Sequence, residues 1–509
     1  MNITTKTHTL IILTLIALIV QACQIPQSDS IPIEPSLSPP NVQISERTDE
    51  STDLSIQQQA TSPIVHLTKE KYIPSQFDTY KTWNGDTLPI ISRRFNINYE
   101  LLQKANPNLH KTDHLKKNVI VILPEISINT NPKPFLIIPD SEAIYGPGQL
   151  NLNIEEEVKK YSQGWLWQIE AGNEYLLPGW QIVHNIAMEY SVNPRILLAL
   201  IEYQSGLISG TTTTNSIIQY PLNVQEWKFA KLPNQLMWAA EQLNNGYYGW
   251  RHGRLKELKL AENEIYQLHP HLNAGTVAIY SFFSSLYSEP LFKKAIGPDG
   301  FSATYKQLFG DPFQYQIDII QPGLSQPTID LPFEPGVIWN YTGGPHNAWR
   351  DSGPWAAIDF APQLAEPGCT ESNDWIIAPA DGIITRMGTG VVAQNLDNDG
   401  SELTGWTLIY AHLLPEKYKL RVGKTIQKGE RLGRPSCEGE LETTGTHLHL
   451  ARKYNGEWIP ADGPPIFQLD KWHVIGEHRP YRGKLLNSET GISLVACACV
   501  NNNQISTTP

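Results

Sequence analysis

Apolar and polar positions follow four different patterns along this chain, and each predicts a different kind of structure. Residues 10–20 are apolar except at Thr14, with Lys6 before them and Val20-Gln21-Ala22-Cys23 after them. That run is too short to cross a bilayer comfortably and has the layout of a cleaved export signal, expected over residues 1–22. Periodicity then disappears. Residues 23–70 are rich in Pro, Ser, Gln and Thr with almost no aromatic side chains, so they cannot bury a core and read as a flexible linker.

Order returns over 71–125. Residues 78–82 read as a strand and Trp83-Asn84-Gly85-Asp86 as a turn, with Asp86 or Thr87 placed to cap a helix over 88–95. A second helix is expected over 97–105 and a closing strand over 119–123. From 141 to 327 the spacing is helical. Asn193 is placed to cap, Pro194 to open, and Ile196, Leu197, Leu200 and Ile201 to form a stripe that ends near Gly206. Further helices are expected at 155–170, 181–190, 232–245, 272–287 and 301–309. Beyond Leu331 the text changes to short β runs between Gly, Pro and Asn turns, at 375–378, 382–387, 390–394, 406–413 and 446–452. These predict a mainly antiparallel β domain over 331–475, followed by a tail over 476–509. The fold class is multidomain α+β.

Composition narrows the function. A chain of 509 residues needs about three cores. A net charge of −12 lacks the basic face that phosphate binding requires, which excludes nucleic acid as the main partner. Four cysteines follow Cys23, namely Cys369, Cys437, Cys497 and Cys499, and in an exported protein they allow three pairings. Cys369 with Cys437 is expected, because both fall in one predicted domain; Cys497 and Cys499 pair with each other or with nothing. Asp397-Asn398-Asp399-Gly400 reads as a hairpin turn, since Trp406 stands where a calcium loop needs its bidentate Glu.

Candidate chemistry gathers in the β domain. His447-Leu448-His449 falls in a predicted strand, so both imidazoles project from one face. His412 ends another strand, Asp359 lies between apolar neighbours in Ala357-Ile358-Asp359-Phe360-Ala361, and His346 follows Gly343-Gly344-Pro345. These residue types suit a catalytic metal site, in which three protein ligands leave the fourth position for water. No His-Glu-x-x-His phrase occurs, consistent with histidines acting as acid and base.

Several phrases carry resemblances. Val20-Gln21-Ala22-Cys23 resembles a bacterial lipobox, which implies lipidation of Cys23 and an extracytoplasmic lipoprotein held at the cell envelope; two acyl chains suffice for stable anchoring. Asn84-Gly85-Asp86-Thr87-Leu88 and Lys104-Ala105-Asn106-Pro107-Asn108 resemble the LysM domain. That implies binding of N-acetylglucosamine-containing glycan in a groove formed by Gly85, Asp86, Thr87, Asn106 and Pro107. Residues 193–207 resemble the first catalytic helix of lysozyme-like lytic transglycosylases, but Gln204 stands where that family has its acid Glu. An amide has no ionisable proton to deliver, and Glu202 lies on another side of the helix, so this domain is expected to bind or space without cutting.

Finally, Gly344-Pro345-His346, the Asp359 phrase, Ala378-Pro379-Ala380-Asp381-Gly382, Tyr410-Ala411-His412-Leu413 and Gly445-Thr446-His447-Leu448-His449 occur in order. Together they resemble the lysostaphin/LytM-type zinc endopeptidases, in the beta-lytic branch, where a longer loop separates the first His from the Asp. The resemblance implies one Zn2+ held by His346, Asp359 and His449, with His412 and His447 as the catalytic pair. It also implies hydrolysis of the peptide crosslinks of peptidoglycan. The alternative it leaves is a metal-free peptidoglycan-binding protein or activator of another wall hydrolase.

Overall fold

Tyr80 and Val121 face each other at the centre of two short antiparallel strands, β1 (Asp78–Lys81) and β2 (Ile120–Leu123). Between them run helices α1 (Leu88–Phe95) and α2 (Tyr99–Ala105), and Leu88, Ile91, Phe95 and Leu102 close a small core against the strands. The second helix begins two residues later than its apolar spacing suggests. Asn98 caps it by accepting from the N–H groups of Glu100 and Leu101, and Ile97 packs in the same core as Leu102, as a residue ahead of the cap often does. The structure is a computed structural model that describes residues 78–507 apart from 111–113, 125–132, 173–175, 364–366, 417–418, 440, 478 and 500–501. The export segment, Cys23 and the linker lie outside the described residues; residues from Ile73 onward form one unit.

The middle of the chain is helical. Its main elements are α3 (Gly179–Tyr190), α4 (Pro194–Ser205), α5 (Leu232–Arg251), α6 (Ala274–Ser284), α7 (Glu289–Ile296) and α8 (Phe301–Phe309). Asn193 caps α4 through the N–H of Arg195, and Gly206 ends it in the left-handed conformation. The helix expected over 155–170 is two short ones, Ile154–Lys159 and Trp165–Gln168. They break at Gly164, where the Ile208 backbone comes so close that no side chain fits. Helix α6 is buried on all sides and lies against α5, where a Cβ on Gly246 would strike Ser281 and the Val277 carbonyl.

The last third is β. Its large sheet contains β3 (Trp339–His346), β4 (Ala357–Pro362), β5 (Gly382–Gly388), β6 (Val391–Asn395), β7 (Trp406–Ala411), β8 (Thr425–Ile426), β9 (Leu448–Tyr454) and β10 (Gln504–Ile505). Their order is β8-β5-β6-β7-β9-β4-β3-β10, antiparallel throughout. Side chains alternate between its faces. Ile358, Phe360, Leu408, Tyr410, Leu448 and Leu450 fill one core; Ala357, Ala393, Ile409, Ala411 and Ala451 belong to another, shared with α3 and α5.

Residues 476–509, expected as a tail, are part of this β unit as far as they are described. Strands Gln468–Leu469, Trp472–Gly476, Gly483–Asn487 and Ser493–Val495 make a small sheet, and β10 pairs with β3. Leu485, Ala496 and Ile505 are its few buried apolar positions, too widely spaced to show as a run. Disulfides join Cys369 to Cys437, with Cα atoms 5.7 Å apart, and Cys497 to Cys499.

Candidate metal centre

One row of the sheet builds the centre. The registers Gly343↔Asp359, Asp359↔His449 and His449↔Ala411 set four strands side by side, so that the residue following Ala411, His412, arrives at the same end. His412 takes φ 55°, a sharp bend between β7 and strand Leu413–Pro415 that an ordinary side chain adopts rarely. Gly343 must lack a side chain: a Cβ there would overlap the Asp359 carboxylate, with Cγ at 2.8 Å. His447 enters from a bridge to Ser436, just ahead of β9.

The ring nitrogens are sorted by backbone carbonyls. His346 Nδ1 pairs with the Gly344 carbonyl at 2.8 Å, His447 Nδ1 with that of Gly445 at 2.8 Å, His412 Nδ1 with that of Glu438 at 3.1 Å, and His449 Nε2 with that of Ala348 at 3.1 Å. A carbonyl only accepts, so these contacts assign the N–H to that nitrogen and leave a lone pair on the other. Three of the freed nitrogens converge on Asp359 Oδ1: His346 Nε2 at 3.2 Å, His449 Nδ1 at 3.3 Å and His447 Nε2 at 3.7 Å. His346 Nε2 and His449 Nδ1 are 3.0 Å apart. Buried Asp359 Oδ1 receives no well-aimed hydrogen bond from them. Lone pairs crowded together around an unsatisfied carboxylate oxygen are what a cation would relieve, and among the described residues His346, Asp359 and His449 can hold a metal ion.

Burial would raise the Asp359 pKa, but the charges of His346 and His447 and the closeness of the His346 and His449 rings hold it well below the carboxylate range. Burial works against the His346 imidazolium, and the neighbouring carboxylate outweighs it, so that pKa stands above the ordinary value. Burial, with His447 and His449 adding to it, pushes His412 down to about 4, and burial also lowers His449. The His412 and His447 rings lie 4.5 Å apart.

Tyr481 is a member of the site that the sequence did not flag. Its ring stacks on His346 at 4.2 Å, its N–H donates to the Pro345 carbonyl at 3.0 Å, and its own carbonyl accepts from the N–H of Gly344 at 3.1 Å. It lay in the presumed tail, and an isolated tyrosine there carries no pattern.

The other nominated residues are spread elsewhere. Asp86 is buried and its oxygens are taken up by Tyr80, Trp83 and Arg94; Asn106 is buried and clamps Leu102 to Ile122 through both ends of its amide. Gly85 and Thr87 are also buried, while Pro107 is exposed. Gln204 accepts from Tyr287 at 2.6 Å, and Glu202 is engaged by the N–H groups of Ile208 and Ser209 and the Ser209 hydroxyl.

Fold and site define a multi-module α+β protein with two histidines and an aspartate, on an antiparallel sheet, that could hold a metal ion. Residues 80–118 match the LysM domain, and residues 136–322, where the transglycosylase-like phrase lies, match the family described as LasA, N-terminal domain. The chain is similar to protease LasA from two strains of Pseudomonas aeruginosa, 22% identical over 364 residues covering 67% of this chain and 77% of the relative. Among solved structures it is similar to the deep-sea M23 metalloprotease pseudoalterin, with 22% identity, 34% of this chain, 96% of that chain and a TM-score of 0.28. It is also similar to the catalytic domain of lysostaphin from Staphylococcus simulans, with 22% identity, 24% and 87% coverage and a TM-score of 0.18.

Proposed function

We propose that this protein is a zinc-dependent endopeptidase that hydrolyses peptide crosslinks of peptidoglycan outside the cytoplasm. The observation that carries the reading is a set of four imidazoles, each pinned at one nitrogen by a backbone carbonyl, three of them gathered around the Asp359 carboxylate and the fourth, His412, beside His447. His346 Nε2, Asp359 Oδ1 and His449 Nδ1 would hold the metal, a nitrogen and oxygen donor set that suits Zn2+. When bound, zinc polarises a scissile carbonyl and makes a water acidic enough to ionise near neutral pH. His412 and His447 do the proton work: between them they accept the proton of the attacking water and donate hydrogen bonds to the oxyanion that forms at the carbonyl. Tyr481 steadies the His346 ring by stacking on it.

The remaining modules serve this reaction. The LysM module at 71–125 would hold N-acetylglucosamine-containing glycan, the helical region at 141–327 would space or bind without cutting, and the peptidase module would begin at 331 and run past 475. The export signal at 1–22 and a lipid on Cys23 would keep the enzyme at a membrane surface in the cell envelope. The likeness to protease LasA supports a peptidase.

Two measurements on purified protein test the proposal. It should carry one zinc per chain and release new amino groups, without new sugar reducing ends, from isolated sacculi. His449→Ala should lose both zinc and amine release. Metal-free parent protein that stimulates another hydrolase would instead establish the activator alternative.

A further inference from the structure

The LysM turn is also the point where the three modules meet. The Asn84 amide lies against the backbone of Ile320, donating to its carbonyl at 2.8 Å and accepting its N–H at 2.9 Å. Arg251, at the end of α5, is 4% exposed. It donates to the Asn84 carbonyl and reaches Glu457 with Nε at 2.8 Å and Nη2 at 3.2 Å, with Asp140 at 3.8 Å. Its guanidinium lies so close over Gly85 that a Cβ there would collide with it. Beside this, Lys117 Nζ donates to Gln316 at 2.6 Å and Arg93 to the His252 carbonyl at 3.0 Å. The edge of the LysM module that carries Asn84 to Thr87 therefore faces protein.

We propose that Arg251, Glu457 and Ile320 form an internal clasp on the LysM turn. The partner of that turn, as the chain is folded here, is this chain's own helical and β modules, and glycan gains the turn only when the clasp opens. The inference rests on the reading of residues 80–118 as a glycan-binding module. Its physical basis is competition. A ligand that needs a face exposed in only a fraction of molecules binds more weakly by that fraction. Sequence motifs in this turn are the same whether it is covered or free, so the clasp is visible only in the packing.

The test uses the full chain with two variants, Arg251→Ala and Asn84→Ala. The first removes the ion pair and strands Glu457; the second leaves the ion pair intact and removes only the grip on Ile320, and so decides the matter if the first fails to fold. Hydrogen exchange of the Ile320 amide, whose partner is the Asn84 side chain, reads the clasp; titration with the hexamer of N-acetylglucosamine reads the turn. The expected result is exchange at Ile320 at least about tenfold faster and hexamer affinity at least about tenfold tighter in the variants. Unchanged exchange, or a parent that already binds the hexamer as tightly as the variants, overturns the clasp. Faster exchange with no hexamer bound by any form leaves the clasp standing and removes the glycan reading instead.

Discussion

His447 and His449 are two residues apart and turn different ring nitrogens toward Asp359, as their hydrogen bonds show. His449 is pinned through Nε2 and turns Nδ1 to Asp359, whereas His447 is pinned through Nδ1 and turns Nε2 toward the same oxygen from 3.7 Å. His447→Ala should therefore keep its zinc while kcat falls roughly 10²–10⁴-fold, the ordinary worth of a positioned acid or base. Metal analysis beside a sacculus assay checks this, and zinc lost along with activity would move His447 into the ligand set. Gly343 is the second residue-scale case. Gly343→Ala puts a methyl group onto the Asp359 carboxylate. Displacing a ligand through its neighbour usually weakens metal affinity about 10–100-fold, so this variant should need that much more free zinc for half activity, with its thermal transition still cooperative. An unchanged zinc requirement would show that Asp359 is not a ligand. The five polar residues were legible in the sequence because alternation on a strand and apolar flanks mark them. Gly343, the carbonyls of Gly344, Ala348, Glu438 and Gly445, and the ring of Tyr481 were not, because a glycine, backbone acceptors and a lone tyrosine leave no periodic trace.

At the scale of elements, the loops beside the histidine pair depend on the Cys369–Cys437 link, which joins positions 68 residues apart. The Gly368 carbonyl accepts from the N–H of Thr446 at 3.0 Å and the Thr370 carbonyl from its hydroxyl at 2.6 Å, one residue before His447. On the other side, Ser436 bonds the His412 carbonyl and Glu438 pins the His412 ring. The disulfide thus ties together the segments that aim the His412 and His447 imidazoles. Cys369→Ser with Cys437→Ser should cost on the order of 4 kcal/mol, the chain-entropy worth of a loop of this size, and lower kcat more than it changes zinc content. Chemical denaturation with and without reductant measures the first, and equal stability would remove the bridge from the account. Strand and helix types were readable here, as the register of β4, β7 and β9 against their apolar alternation shows. Boundaries were less so: Asn98 moved one helix start by capping, and Gly164 split another by close packing against Ile208.

Across the whole molecule, the face of the sheet that bears Asp359 and His449 continues into a surface covered by helices, and a buried charge lies in that seam. Lys453, on β9 and 1% exposed, has its Nζ 3.8 Å from Glu402, 3.4 Å from the Met188 carbonyl of α3 and 4.3 Å from the Trp458 ring. Arg386 already holds Glu402 through two contacts at 2.8 and 3.1 Å, and Glu189 adds a further negative charge nearby. Burial, opposed by Glu402 and Glu189 and assisted by Arg386, brings the Lys453 pKa down to about 7. The consequence for stability follows from which state holds the proton. Between about 7 and the ordinary lysine value of 10.5 the unfolded chain is protonated at this position and the folded chain is not, so folding stability rises with pH across that window. Below it the cost of burying the ammonium is present in full. Lys453→Met removes the charge and leaves the Arg386–Glu402 pair intact; replacing buried ions with apolar side chains is often neutral or stabilising by about 1–4 kcal/mol. The variant should therefore melt higher than the parent near pH 6, and the gap should close as the pH approaches 9.5. A gap that stays constant over that range would mean that Lys453 keeps its proton in the folded protein, with Glu402 and Glu189 outweighing burial.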